Sequence, residues 1–531
     1  METVSATDLA GRLAAPVRDA RVTGRLALEG RALAEPLVFE GCVFEQDVCL
    51  DEATTSSVRL VHCTLPSLTA RHIETRGDLV LDGTTARRVV LAGAHVGGSL
   101  RLAGARLSGD PALDASSVRV DQDIDCTAGF AALGELLATG ARVDGKVDLT
   151  GATLEGLGGT ALQANGLRTG GDVVLDQVVA NGTLWLTGAS IDGSLGLSGA
   201  NLCSDGWTLV AESVRAARGA FLIAGFRSRG EVRLVGAALG GPLNLENAEL
   251  VNPGGWALNA WGVEIGMGLW CTGLTADGEL RLTNARVRGP MHLESATVTG
   301  KGPEGISIHL WGAECDELLL PLAPVPPGPV ELRGARTRQL TDLGGRYRAL
   351  IGDFAYESLG HGSGDLDDRL RWLARADDGF SPGAYDRLAA VLRAAGREDD
   401  ARAVAIARER ARRRTLHRPG RWASRFLGAT VGHGYRPWRA GAWLAAVVLA
   451  GWWLFGSVWR EDLVAAGGAP EEFRPLLFSL DAVLPVVNLG QDDRWETMGG
   501  GAQWWYAFSV LAGWALATVL VSALTARLVR D

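Results

Sequence analysis

The chain has 531 residues, enough for several domains with a substantial core. Its 71 glycines stand beside 47 % hydrophobic residues, which excludes a disordered linker. The net charge of −9 offers no general basic face, so no nucleic-acid partner is expected.

The first 22 residues contain no long apolar run, and no secretory signal is predicted. All seven cysteines (Cys42, Cys49, Cys63, Cys126, Cys203, Cys271, Cys315) fall in the first 335 residues, without a C-x-x-C pair. Small core hydrophobes in a reducing compartment are expected, not disulfides or a zinc site.

From Gly24 onward the sequence repeats, as in GRLALEGRAL, then GSLRLAGARL at Gly98, GKVDLTGATL at Gly145 and GSLGLSGANL at Gly193. Gly219, Gly230 and Gly241 follow one another at eleven-residue steps, with Leu-x-Leu alternation between them. Period-two alternation marks strands with one buried face, and a fixed short period marks a solenoid. A longer period overlies it. Leu113, Leu162, Leu209, Leu258 and Ile308 recur every 47 to 50 residues, which predicts two coils per large repeat. The loops LSGDP, LCSDG and LVNPGG are expected to project at one corner, and the irregular Leu37–Cys63 stretch to cap the N-terminal end. The fold class predicted for 1–335 is mainly β, a β-solenoid (β-helix) of pentapeptide-like repeats.

Three features of this region bear on chemistry. Asp121, Asp123 and Asp125 alternate with Val120, Gln122 and Ile124, which predicts three carboxylates on one outer strand face. Such a ladder is a candidate metal or acid–base site, weighed against a solvated face without a basic or histidine partner. Gly156 to Ala161 matches G-x-G-x-x-A but leads into another repeat, so a solenoid corner is expected instead of a dinucleotide loop. Trp207, Trp256, Trp261, Trp270 and Trp311 recur in the later repeats, with Trp207 and Trp256 in equivalent positions, as corner packing or as a stacking surface. His62, His72, His95, His292 and His309 read as isolated repeat residues.

Residues 336–437 are predicted to form a helical connector with a basic juxtamembrane segment. Leu366–Ala376 has helical spacing, and Ser381–Pro382 opens a predicted helical hairpin that turns at Gly396. Its second helix runs into Arg408, Arg410, Arg412, Arg413, Arg414, Arg418, Arg421 and Arg425, read as a membrane-surface patch. In 438–531 two uncharged stretches, Ala440–Trp459 and Trp504–Ala526, are long enough to be transmembrane α-helices. Arginines flank them on one side, while the 460–503 loop is acidic. The positive-inside rule then predicts an inner-membrane protein with both termini cytoplasmic and this loop external. Within the loop, PLLFSLDAVL is too short to span and suits a re-entrant helix, which makes Asp481, Asn488 and Gly490 candidate pore-loop residues. Small-x-x-x-small spacings such as Gly513/Ala517 permit close helix packing within or between chains, so homo-oligomers are open to it.

The G-x-L-x-L-x-G-A repeats, the connector SPGAYDRLAAVLRAAGREDDARAVAIARERARRR and the loop FSLDAVLPVVNLGQ before GWALATVLVSALT together resemble a bacterial, notably actinobacterial, family. Its members are pentapeptide-repeat-like membrane proteins often labelled membrane-associated oxidoreductases, and the resemblance covers most of the chain. It implies a redox activity. The residues themselves show no nucleotide loop, haem or iron–sulfur cysteine pattern, or copper histidine pair, and no cofactor is expected from them. Three functions stand open: a membrane-anchored scaffold binding a protein partner on its solenoid surface, an oligomeric two-span pore gated by the solenoid, or an oxidoreductase.

Overall fold

A computed structural model describes the chain apart from residues 1, 10–14, 321–323, 343–346, 362–364, 377–379, 416–437, 467–471, 485–487, 492 and 529–531. It divides into two compact units, Met1–Arg387 and Leu388–Asp531.

The first unit is a β-solenoid of about 16 turns. Its short strands assemble into two sheets, and the strand pairs in both are parallel. A typical coil visits four strand stations: His95–Val96 and Leu100–Arg101 in one sheet, then Arg106–Leu107 and Leu113–Asp114 in the other. The interior is filled by stacked aliphatics, as in the column Leu79, Leu100, Ile124, Val147, Val173, Leu195. Each of these sits one coil above the last and is buried, so the Leu-x-Leu pattern becomes a continuous core.

The 47-to-50-residue period has a physical basis in alternating coils. Strands β1 (Thr153–Gln163), β2 (Asn201–Val210) and β3 (Glu249–Asn259) carry inserted arms, seen as register shifts against the following coil. That following coil meets the arm with Gly182, Gly230 or Gly278, whose φ angles are 120°, 131° and 139°. A Cβ at Gly230 would lie 2.8 Å from the Gly206 carbonyl oxygen, and one at Gly278 2.6 Å from that of Asn252. Arm and glycine are therefore two halves of one repeat, since only glycine combines this backbone with that approach.

Two boundaries move. Leu37–Cys63 forms regular coils within the stack, paired to residues on both sides, so it is no cap. The coil stack begins at Glu2–Ser5, and the helical turn Ala6–Leu9 buries Ala6 and Leu9 there. At the other end strands continue past residue 335 to Ala355–Leu359. Helix α1 (Leu366–Ala374) follows, N-capped by Asp365, whose side chain accepts from the Asp368 N–H. Arg369 of α1 forms a buried ion pair with Asp342, beside Tyr347 and Trp372.

Helix α2 (Pro382–Ala394) leads into the second unit, where α3 (Glu398–Thr415) returns after the Gly396 turn at φ 74°. Helix α4 (Trp438–Trp453) runs into a π-helical turn, Leu454–Val458. Gly441–Val458 is one helix long and apolar enough to cross a membrane, by length and composition. Helix α5 (Pro475–Val483) packs against both α4 and α6 (Gly500–Leu528). A Cβ at Gly513 of α6 would collide with the Val483 carbonyl oxygen, and one at Gly451 of α4 would lie 2.9 Å from Ser479 Oγ. Glycine admits α5 between its neighbours. Phe455, Leu463, Phe478 and Ala502 form the buried core of this unit.

Candidate functional site

The three aspartates do not form a ladder. Only Asp125 lies in a strand, while Asp121 and Asp123 occupy the turn before it, so alternation along one strand never starts. Each carboxylate holds a different group. Asp123 accepts the Lys146 N–H at 2.8 Å from the next coil, and Asp125 accepts from Thr127 Oγ1 at 2.6 Å. Asp121 faces His95 Nε2 at 3.1 Å and the Arg119 guanidinium at 3.1 Å. Burial pushes the Asp121 carboxyl up, but the bonds to His95 and Arg119 outweigh it and hold it below the usual carboxylate range. The histidine partner that the sequence did not suggest is 26 positions away, in the previous coil. Glu74, His95 and Arg119 are register partners in successive coils. Glu74, His95 and Asp121 thus line an open groove of about 720 Å³. Among the described residues no group of three or more His, Cys, Asp or Glu is placed to hold a metal ion.

Gly156 to Ala161 lies in the β1 arm, within a strand instead of before a helix, so no dinucleotide turn is present there. Cys42, Cys49, Cys63, Cys126 and Cys271 are buried free thiols, and Cys203 is exposed on the β2 arm. Burial pushes Cys63 and Cys271 each up to about 12, and Cys126 upward as well, which disfavours their nucleophilic thiolates.

The more developed constellation lies at the corner beside the arms. Trp207 and Trp256 sit opposite Glu231 and Glu279 in the following coils. Arg233 lies over the Trp207 ring at 5.9 Å and Arg281 over Trp256 at 5.0 Å, both within cation–π range. Trp185 meets Trp207 edge-on at 5.6 Å. Beneath them runs a buried polar spine. Glu231 accepts from Asn259 Nδ2 at 3.0 Å and pairs with Arg233, which also holds Glu212. Glu279 is 1 % exposed and meets His309 Nδ1 at 3.2 Å. Glu331, equally buried, receives Arg333 Nε at 2.9 Å. Buried charge is tolerated only with such partners. Asn259 Oδ1, Glu279 Oε2, Arg281 Nε and Trp256 Nε1 nonetheless have no hydrogen-bond partner among the described residues.

At the adjoining turn, backbone bonds stack Trp261, Thr283 and Trp311 one coil apart: Gly262 N donates to Thr283 O and Asn284 N to Trp311 O. Trp261 and Trp311 are half exposed and Thr283 is buried. Trp270 lies elsewhere, stacked on His292 at 6.3 Å and 8°. The equivalence of Trp207 and Trp256 is legible from the repeat. The acids below them lie 24 and 23 positions further along and are legible only once the coil register is known.

In the second unit Asp481, Asn488 and Gly490 meet in one turn. The Asp481 carboxylate is 7 % exposed and accepts the N–H groups of Leu489 at 2.6 Å and Gln491 at 2.8 Å. Asn488 Oδ1 accepts the Gly490 N–H at 2.7 Å, and its amide donates to Asp493 at 3.0 Å. A short antiparallel pair, Leu463–Ala465 with Trp495–Thr497, closes the loop. Arg408, Arg410 and Arg412 lie on α3. Arg413 and Arg414 continue that helix, while Arg418, Arg421 and Arg425 lie outside the described residues.

No family model matches the chain, and neither a curated protein nor a solved structure matches it.

Proposed function

We propose that the chain is a membrane-anchored scaffold that presents its solenoid to a protein partner in the cytoplasm. The observation that carries this reading is the Trp261–Trp311 corner, where two half-exposed indoles stand beside a buried spine of paired acids. Exposed tryptophans backed by rigid structure are typical anchors of protein interfaces, and solenoids offer long surfaces for them. The apolar helix Gly441–Val458 supports anchorage, with α6 as the second span, arginines inside and the acidic loop outside. Under this proposal the chain belongs with the actinobacterial membrane proteins it resembles, and we assign it no redox step. A photo-crosslinking residue at Trp311 in the full chain tests the docking corner. A discrete adduct that disappears with Trp261→Ala supports it, and no adduct from the crosslinker-bearing chain produced at ordinary levels in its own cells counts against it.

One observation favours a second reading, an oligomeric pore. Helix α5 spans about 13 Å at helical rise and is seated between α4 and α6 through Gly451 and Gly513, the layout of a re-entrant segment. Planar-bilayer recordings with Asp481→Asn and Asn488→Ala test it. Unitary currents that change with both variants support a pore, and currents insensitive to both remove this turn from it.

A further inference from the structure

Near the C-terminal end of the solenoid the outer face of one sheet forms a groove of about 590 Å³, within the size range of small-molecule sites. Beneath it runs the largely buried register column Val287, Cys315, Thr337 and Tyr356. Its walls carry five guanidiniums, from Arg286, Arg288, Arg336, Arg338 and Arg387, against the carboxylates of Glu314, Asp316 and Glu357. Most of these charges are already engaged. Arg336 pairs with Glu314 at 3.7 Å, Arg338 with Asp316 at 2.9 Å, and Arg286 with Glu264 at 3.2 Å. Arg288 and Arg387 are exposed and form neither an ion pair nor a hydrogen bond among the described residues.

We propose that this groove binds a phosphate-monoester group between Arg288 and Arg387. Two unpaired guanidiniums, offset in part by Glu357, favour an anion, and their planar forks each offer two parallel donors to phosphate oxygens. The two arginines come from different elements, Arg288 from the solenoid face and Arg387 from the first half of α2. Glu357 is the opposing element: its carboxylate repels the same ligand. The proposal is independent of the scaffold reading, because it requires no protein partner.

The shared chemistry has two sources, a soluble phosphate compound or the headgroup of a phospholipid. The full chain in zwitterionic detergent micelles is titrated calorimetrically at low salt with inorganic phosphate and, separately, with a short-chain phosphatidic acid. Saturable binding is expected, weakened about tenfold or more by Arg288→Ser with Arg387→Ser and strengthened several-fold by Glu357→Gln. Arg142→Ser, an exposed arginine of the same sheet outside the groove, is expected to change nothing. Phosphatidic acid binding at least about tenfold tighter than phosphate assigns the site to a headgroup, and equal affinities assign it to a soluble compound. No saturation by either ligand up to about 10 mM, or affinities blind to both the arginine and Glu357 variants, overturns the proposal.

Discussion

Glycine serves the two units for different reasons. In the solenoid, Gly230 and Gly278 have φ angles of 131° and 139° beside an inserted arm, so backbone conformation and crowding both exclude a side chain. In the helical unit, Gly451 and Gly513 have ordinary helical backbone and are required only by the approach of α5. The solenoid is thus specified residue by residue through its backbone. The helical unit is specified by close packing, which a small movement of α5 can partly relieve.

That contrast can be broken by substitution. Gly278→Val is expected to have the largest effect, a loss of more than about 3 kcal/mol from combined backbone strain and overpacking. Urea unfolding followed by β-sheet circular dichroism measures it. A loss below about 1 kcal/mol, as for an ordinary surface substitution, contradicts the assignment of arm and glycine as one unit. Next comes the polar spine. Glu279→Leu leaves His309 buried without its partner and is expected to cost about 3 kcal/mol, with much of it recovered in the Glu279→Leu/His309→Leu double variant. Additive losses in the two single variants would show that the pair is not coupled. Gly513→Val is expected to cost about 1–3 kcal/mol, read as a lower thermal midpoint of the helical signal. Gly441→Val, with nothing within 4 Å, serves as its control and should stay within about 0.5 kcal/mol.

The effect that is smallest near neutral pH, and grows only in alkali, is a pH dependence of the solenoid's buried thiols. The buried thiols Cys63 and Cys271 titrate near 12 when folded and at about 8.5 when unfolded. The raised folded value means that their contribution is fully present below the unfolded pKa and is lost as pH rises from about 8.5 toward 12. Serine at both positions should flatten the alkaline limb of the stability profile, after allowing for the constant cost of burying a hydroxyl. An unchanged limb would place the alkaline loss elsewhere.

The sequence carried the solenoid because its signals are local: Leu-x-Leu alternation and the 47-to-50-residue recurrence of Leu113 to Ile308 need no knowledge of pairing. The coupling of His95 to Asp121, and of Glu279 to His309, was hidden because it crosses coils, 26 and 30 positions apart. The Asp121–Asp125 alternation misled for a related reason. A turn with polar residues at every second position looks like a strand until the register places it at a corner. Leu37–Cys63 lacks the glycine-led motif yet makes the same coils, since Phe39, Phe44, Val48 and Leu60 fill the interior that leucines fill elsewhere. The groove beside Arg288 and Arg387 joins positions nearly a hundred residues apart in different secondary structure, and no periodicity announces such a site.

The central claim, a solenoid held on the cytoplasmic side by two spans, is tested most directly by sidedness. Cys203 is the natural reporter on the solenoid, exposed on the β2 arm, and Glu472→Cys places an exposed thiol in the loop between α4 and α6. Intact cells are treated with a membrane-impermeant maleimide and labelling is repeated after permeabilisation. The account predicts that the thiol introduced by Glu472→Cys labels in intact cells, while Cys203 labels only after permeabilisation. Equal labelling of both positions in intact cells, or protection of both, would contradict it.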